Sequence, residues 1–102
     1  MSSGRVGLAF FSQSLHHALH PGRAVAAAHR LLKPGGRIVV LDLKRHRFEQ
    51  AREMYADMWL GFTEAELHRM LETAGFEEIE VQVVAREDQP PHFQTLFASG
   101  RK

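Results

Sequence analysis

The chain has 102 residues, 44% of them hydrophobic and 25% charged, with a net charge of +1, which suits one small globular domain with a modest core. Scattered basic residues and a charge near zero argue against a nucleic-acid or membrane surface, and apolar runs of about five residues fall far short of the ~20 needed to cross a bilayer. The lack of cysteine removes disulfides and thiolate metal sites and fits a cytoplasmic location; residues 1–5 are polar and lead into no apolar segment of signal-peptide length.

Residues 6–11 are apolar apart from Gly7 and predict a strand, ended by Ser12-Gln13-Ser14. Residues 15–20 form a short turn rich in histidine. Pro21 suits the first position of a helix, where its missing N–H costs nothing. Residues 23–32 are alanine-rich, with Val25, Ala28, Leu31 and Leu32 expected on one buried face. Leu31-Leu32-Lys33-Pro34-Gly35-Gly36 then predicts a helix end and a tight turn: proline cannot continue the helix, and glycine adopts the positive φ of a sharp reversal. Residues 37–43 are apolar on both faces, the pattern of a central parallel strand covered by helices on both sides. The first two strands are expected to be parallel with a right-handed crossover, and ligands bind at the carboxyl ends of such strands, here from Asp42 to His46.

Residues 48–59 have helical spacing through Ala51, Met54, Tyr55 and Met58, broken at Trp59-Leu60-Gly61-Phe62. Thr63-Glu64-Ala65-Glu66 is a capping box opening a helix whose buried stripe is Leu67, Met70, Leu71 and Ala74, with Gly75 as a left-handed cap and Phe76 as its apolar contact. Residues 78–84 alternate, with Ile79, Val81 and Val83 on one side and Glu78, Glu80 and Gln82 on the other, as in a half-solvated strand. A loop over residues 86–92 leads to a last strand, 93–99, short enough a connection for an antiparallel pair.

Three landmarks together resemble a known family: Phe10-Phe11-Ser12-Gln13-Ser14-Leu15-His16-His17, Leu31-Leu32-Lys33-Pro34-Gly35-Gly36-Arg37 and Ala74-Gly75-Phe76. They resemble the end of the fourth strand and the turns into the fifth and sixth strands of class I S-adenosylmethionine-dependent methyltransferases. The resemblance implies an α/β fold class, a fragment of the three-layer, Rossmann-like methyltransferase sandwich with a mixed sheet of about four strands and an antiparallel C-terminal hairpin. It covers nearly the whole chain but only the C-terminal half of the fold, so residues 1–102 are expected to be a partial methyltransferase domain without the N-terminal cofactor-binding half. Leu41-Asp42-Leu43-Lys44-Arg45-His46 and Asp57-Met58-Trp59-Leu60-Gly61-Phe62 look like a narrower group, in which the methyltransferase follows an ArsR-type winged-helix domain. Family members bind the methionine part of the cofactor at a glycine-rich loop after their first strand. The eight glycines here never form Gly-x-Gly-x-Gly or Gly-x-Gly-x-x-Gly, and Gly35-Gly36 precedes a strand instead of following one.

By this resemblance Ser12, Gln13 and Leu15 lie beside the cofactor, and Asp42, His46 and Trp59 over the substrate pocket. His16 and His17 are candidate general bases, since imidazole titrates near neutrality. His16 and His20 share a helical spacing but lack a third ligand, so no metal is expected. Tyr55, Trp59 and Phe62 read as packing more readily than as a pocket wall, and Lys44, Arg45 and Arg47 as a solvated surface. S-adenosylmethionine is the expected cofactor only if the fold is completed. The unpaired, apolar edge of the first strand predicts self-association or a partner supplying the first half of the sheet. Two readings stay open: a methyltransferase portion acting on an unidentified acceptor, and a non-catalytic assembly or regulatory module derived from that fold.

Overall fold

A computed structural model describes residues 6–44, 61–89 and 93–102. The elements run β1 (Val6–Ser12), a 3-10 turn (Leu15–His17), α1 (Pro21–Leu31), β2 (Leu32–Leu43), α2 (Glu64–Ala74), β3 (Glu77–Arg86) and β4 (Gln94–Arg101). The helical segment expected over residues 48–59 lies outside the described residues.

Each helix starts where local chemistry dictates. Pro21 occupies the first turn of α1. The Thr63 hydroxyl accepts from the Glu66 N–H at 3.1 Å, and the Glu66 carboxylate accepts from the Thr63 N–H at 2.9 Å, closing the capping box of α2. Gly75 ends α2 at φ +106°, a conformation that costs an L side chain energy. Phe76 follows, buried, with its N–H donated to the Leu71 carbonyl at 3.1 Å.

The four strands form one sheet in the order β1-β2-β4-β3. β1 and β2 are parallel, whereas β4 is antiparallel to both β2 and β3. The expected C-terminal hairpin is present, and its second strand inserts between β2 and β3. Residues 33–36 depart from the expected simple turn. Val6 pairs with Leu32 and Leu8 with Arg37, so Lys33-Pro34-Gly35-Gly36 stands out as a bulge within β2. The chain end pins this bulge: the Lys102 N–H donates to the Gly36 carbonyl at 2.8 Å and its ammonium to the Leu32 carbonyl at 2.6 Å.

Strand register separates two faces. Ala9, Phe11, Ile38, Val40, Leu96 and Ala98 share the face packed by α1 through Val25 and Ala28 and by α2 through Leu67 and Leu71. Both described helices lie in this layer: the His29 ring of α1 meets the Phe76 ring just beyond α2 edge-on, with centroids 4.8 Å apart. Leu32, Ile38, Val40, Leu67, Leu71 and Leu96 are fully buried, and burial of such a side chain stabilises by ~1.5–3 kcal/mol. The opposite face carries Leu8, Phe10, Val39, Leu41 and Phe97, so β2 is apolar on both sides as its sequence predicts. Among the described residues no helix packs on that second face.

Two side chains correct the expected pattern. Leu31, expected in the buried stripe of α1, is 61% exposed. At about 100° per residue it lies off the Val25–Ala28 line, on a second apolar stripe with Ala24 and Ala27. That stripe and β1 bound a groove of about 420 Å³, walled by Leu8, Phe10, Ala27 and Leu31 among others. Val83 is 38% exposed because it lies near the end of the edge strand β3, beside a register shift.

Candidate functional site

Because β1 and β2 are parallel, their carboxyl ends coincide, which is where ligands meet sheets of this kind. Ser12 closes β1 opposite Leu41. Gln13 follows with φ +55°, sparsely populated for a residue with a side chain, and its N–H donates to the Leu41 carbonyl at 2.7 Å. The chain then turns through Leu15–His17, with the His17 N–H donating to the Ser14 carbonyl at 3.1 Å and the Ala18 N–H to the Leu15 carbonyl at 3.0 Å.

Asp42 organises this loop from below. Its side chain shares the buried face of β2 with Ile38 and Val40 and is fully buried. One carboxylate oxygen, Oδ2, accepts from the Leu15 N–H at 2.8 Å. The other, Oδ1, accepts from the Leu43 N–H at 2.7 Å and lies 2.6 Å from the His16 Nδ1. Three polar partners around one buried carboxylate offset the cost of taking it out of water. His16 is itself buried, and its ring lies 4.1 Å from that of the exposed His17, tilted by 38°.

The sequence-derived candidates therefore divide. Ser12, Gln13 and His17 are exposed at the strand ends, whereas Leu15, His16 and Asp42 lie beneath them in the interior. His46 and Trp59 lie outside the described residues, as do Tyr55, Arg45 and Arg47. Phe62 is buried in the core, its N–H donated to the Leu43 carbonyl at 2.9 Å. Lys44 continues from β2 with its ammonium 3.4 Å from the Glu64 carboxylate. His20 is exposed and its carbonyl accepts from the first turn of α1. Among the described residues no three His, Asp or Glu side chains converge as metal ligands, and no helix is long and apolar enough to cross a membrane. Sequence spacing could not have joined His16 to Asp42, since the two are 26 residues apart and only the parallel pairing of β1 and β2 brings them together.

The sequence pattern of a family described as a methyltransferase domain matches residues 2–81. A search among curated proteins finds no match. Among solved structures, an S-adenosylmethionine-dependent methyltransferase of Thermotoga maritima superposes with a TM-score of 0.74 at 22% identity, over 100% of this chain and 58% of its own. Phosphoethanolamine N-methyltransferase 2 of Haemonchus contortus, in complex with S-adenosylmethionine, gives a TM-score of 0.77 at 12% identity, over 94% of this chain and 33% of its own. The 1,6-didemethyltoxoflavin-N1-methyltransferase of Burkholderia thailandensis, with 1,6-didemethyltoxoflavin and S-adenosylhomocysteine bound, gives 0.66 at 26% identity, over 94% of this chain and 43% of its own. The mixed sheet and its helices thus have the Rossmann-like methyltransferase fold, and the chain spans only part of the length of each of these proteins.

Proposed function

This chain belongs to the methyltransferase-domain family, and from that premise we propose that it is the acceptor-side half of a cytoplasmic S-adenosylmethionine-dependent methyltransferase, active when a glycine-rich first half completes its sheet. The observation that carries this reading is the β1 edge. Among the described residues β1 pairs on one side only, its residues from Val6 to Phe11 carry no charge, and Leu8 and Phe10 are each 58% exposed. An edge of that kind calls for a neighbour. It also borders the loop that offers Ser12, Gln13 and His17.

The residues present fit one wall of a cofactor site and not the whole of it. Ser12 and Gln13 offer polar groups at the strand ends, whereas no glycine-rich loop exists among these 102 residues. When bound, S-adenosylmethionine supplies an electrophilic methyl group. The contribution of this chain is positional: the loop at the ends of β1 and β2 is held by main-chain bonds and by Asp42, and fixed geometry is the main resource of such a transfer. The exposed His17 imidazole takes up a proton where the acceptor must lose one. The likeness of residues 41–46 and 57–62 to methyltransferases that follow an ArsR-type winged-helix domain extends the proposal to that group. The coding sequence upstream of Met1 tests it directly.

Isothermal titration with S-adenosylmethionine tests the function. The expected result is no saturable binding by the chain alone and saturable binding after a fragment carrying the glycine-rich half is added. Binding by the chain alone would remove the need for a second half. Absence of binding in both states would return the non-catalytic assembly or regulatory module. Sedimentation of the chain alone reports whether a second copy takes the same edge.

A further inference from the structure

We infer that Asp42 is the positioning residue of this site, fixing the His16 imidazole as the Nδ1–H tautomer and holding the loop that presents Gln13 and His17. The role rests on the methyltransferase reading for its purpose, but its geometry stands on this chain alone. Asp42 is fully buried, so it does not present its carboxylate at the surface of the strand ends. Both of its oxygens accept from backbone N–H groups, of Leu15 and of Leu43, which can only donate. The remaining short contact, 2.6 Å from Oδ1 to the His16 Nδ1, completes the set with a hydrogen on that ring nitrogen. In neutral imidazole this leaves Nε2 as the acceptor.

The backbone of the loop is consistent with the clamp. Gln13 has φ +55° and Asp42 holds the loop two residues further on, at Leu15. A side-chain-bearing residue adopts such a φ uncommonly, at some cost that its surroundings offset. Here the offsetting contacts are the Gln13 N–H on the Leu41 carbonyl, at 2.7 Å, and the Leu15 N–H on Asp42. The His17 ring then rests against the ring that Asp42 fixes, 4.1 Å between centroids. One interior carboxylate thus sets the backbone, a buried imidazole and an exposed one. Asparagine cannot replace it. Placing its amide nitrogen at Oδ2 sets donor against donor at Leu15, and placing it at Oδ1 sets donor against donor at Leu43 and forces His16 to the other tautomer.

Nitrogen-15 NMR of the whole chain reads the imidazole tautomers, and amide hydrogen exchange reads the loop. The expected result is a protonated Nδ1 on His16 with Leu15 and Leu43 amides slow to exchange. Asp42→Asn should break one side of that set and speed exchange of either the Leu15 or the Leu43 amide by about tenfold to a hundredfold, with Leu67 and Leu71 amides of α2 unchanged. A wild-type His16 with an unprotonated Nδ1 would overturn the proposal, and so would Asp42→Asn exchange equal to wild type at both Leu15 and Leu43. The wild-type tautomer keeps the test decisive even if the variant does not fold. Neither readout involves S-adenosylmethionine, so failure here and failure of the cofactor titration are separate results.

Discussion

Replacing Phe10 with lysine should leave the fold nearly intact and abolish completion of the sheet. Phe10 is 58% exposed on β1, and Val6, Leu8 and Leu31 are exposed by 43%, 58% and 61% around the same groove. Covering the exposed shares of these four side chains is equivalent to burying about two whole ones, or roughly 3–6 kcal/mol, before any strand hydrogen bonds are added. That corresponds to about two to four orders of magnitude in affinity. Phe10→Lys removes the largest ring of the patch and places an ammonium where the neighbouring strand would desolvate it, a cost of several kcal/mol. In the chain by itself the same lysine reaches water, and the change in strand propensity stays within ~1 kcal/mol. The two effects separate in two assays. Thermal unfolding of the variant alone should stay within a few degrees of wild type. Sedimentation velocity with a fragment carrying the glycine-rich half should show the complex for wild type and only the separate components for the variant. Equal assembly of variant and wild type would refute the argument that β1 is the docking edge. A compact wild-type monomer that takes up neither the fragment nor a second copy at high concentration would refute it more completely.

Two further predictions concern stability. Thr63→Ala removes the oxygen that accepts from the Glu66 N–H and should cost ~1 kcal/mol, lowering the melting temperature by roughly 4–8 °C for a domain of this size, while Thr63→Ser should lie near wild type. At Gln13, with φ +55°, Gln13→Gly should be near neutral in urea unfolding, relief of strain offsetting the ~0.5–1 kcal/mol of extra chain entropy; Gln13→Val should lower the unfolding free energy clearly, by ~1–3 kcal/mol, and a tolerated valine would show that the loop has another conformation.

What could be read in advance divides by range along the chain. The capping box at Thr63, the left-handed Gly75 and the Phe76 contact are local chemistry within a few residues, and each is present as expected. The two apolar faces of β2 were likewise legible from its unbroken apolar run. The bulge at residues 33–36 was not, since its partners include Lys102, bonded to Leu32 and Gly36 from some 70 residues away. The same holds for the insertion of β4 between β2 and β3, which sequence adjacency does not specify. Leu31 failed a simple one-stripe reading of α1 because that helix has two apolar stripes, one on the core and one over the groove. At the site, Asp42 was legible as an acidic residue at a strand end. Its enclosure by Leu15, His16 and Leu43 required the parallel register.

The two edges of the sheet are finished differently, and the difference bears on what completes it. β3 carries Glu77, Glu78, Glu80 and Arg86 and two register shifts, devices that keep an edge from pairing with another strand. β1 has no charged residue from Val6 to Phe11 and is overhung by an apolar helix stripe. Direction then distinguishes the occupants proposed for it. A strand added parallel to β1 ends beside Ser12, so the turn that follows it emerges next to Gln13 and His17 and can close a ligand site there. Two copies of this chain pairing β1 with β1 about a two-fold axis run antiparallel, and the end of each strand lies beside the start of the other, far from its loop. Self-association would therefore cover the apolar edge without completing a site. On this geometry the proposed methyltransferase would need the parallel partner, and a β1–β1 dimer would compete with it for the same edge.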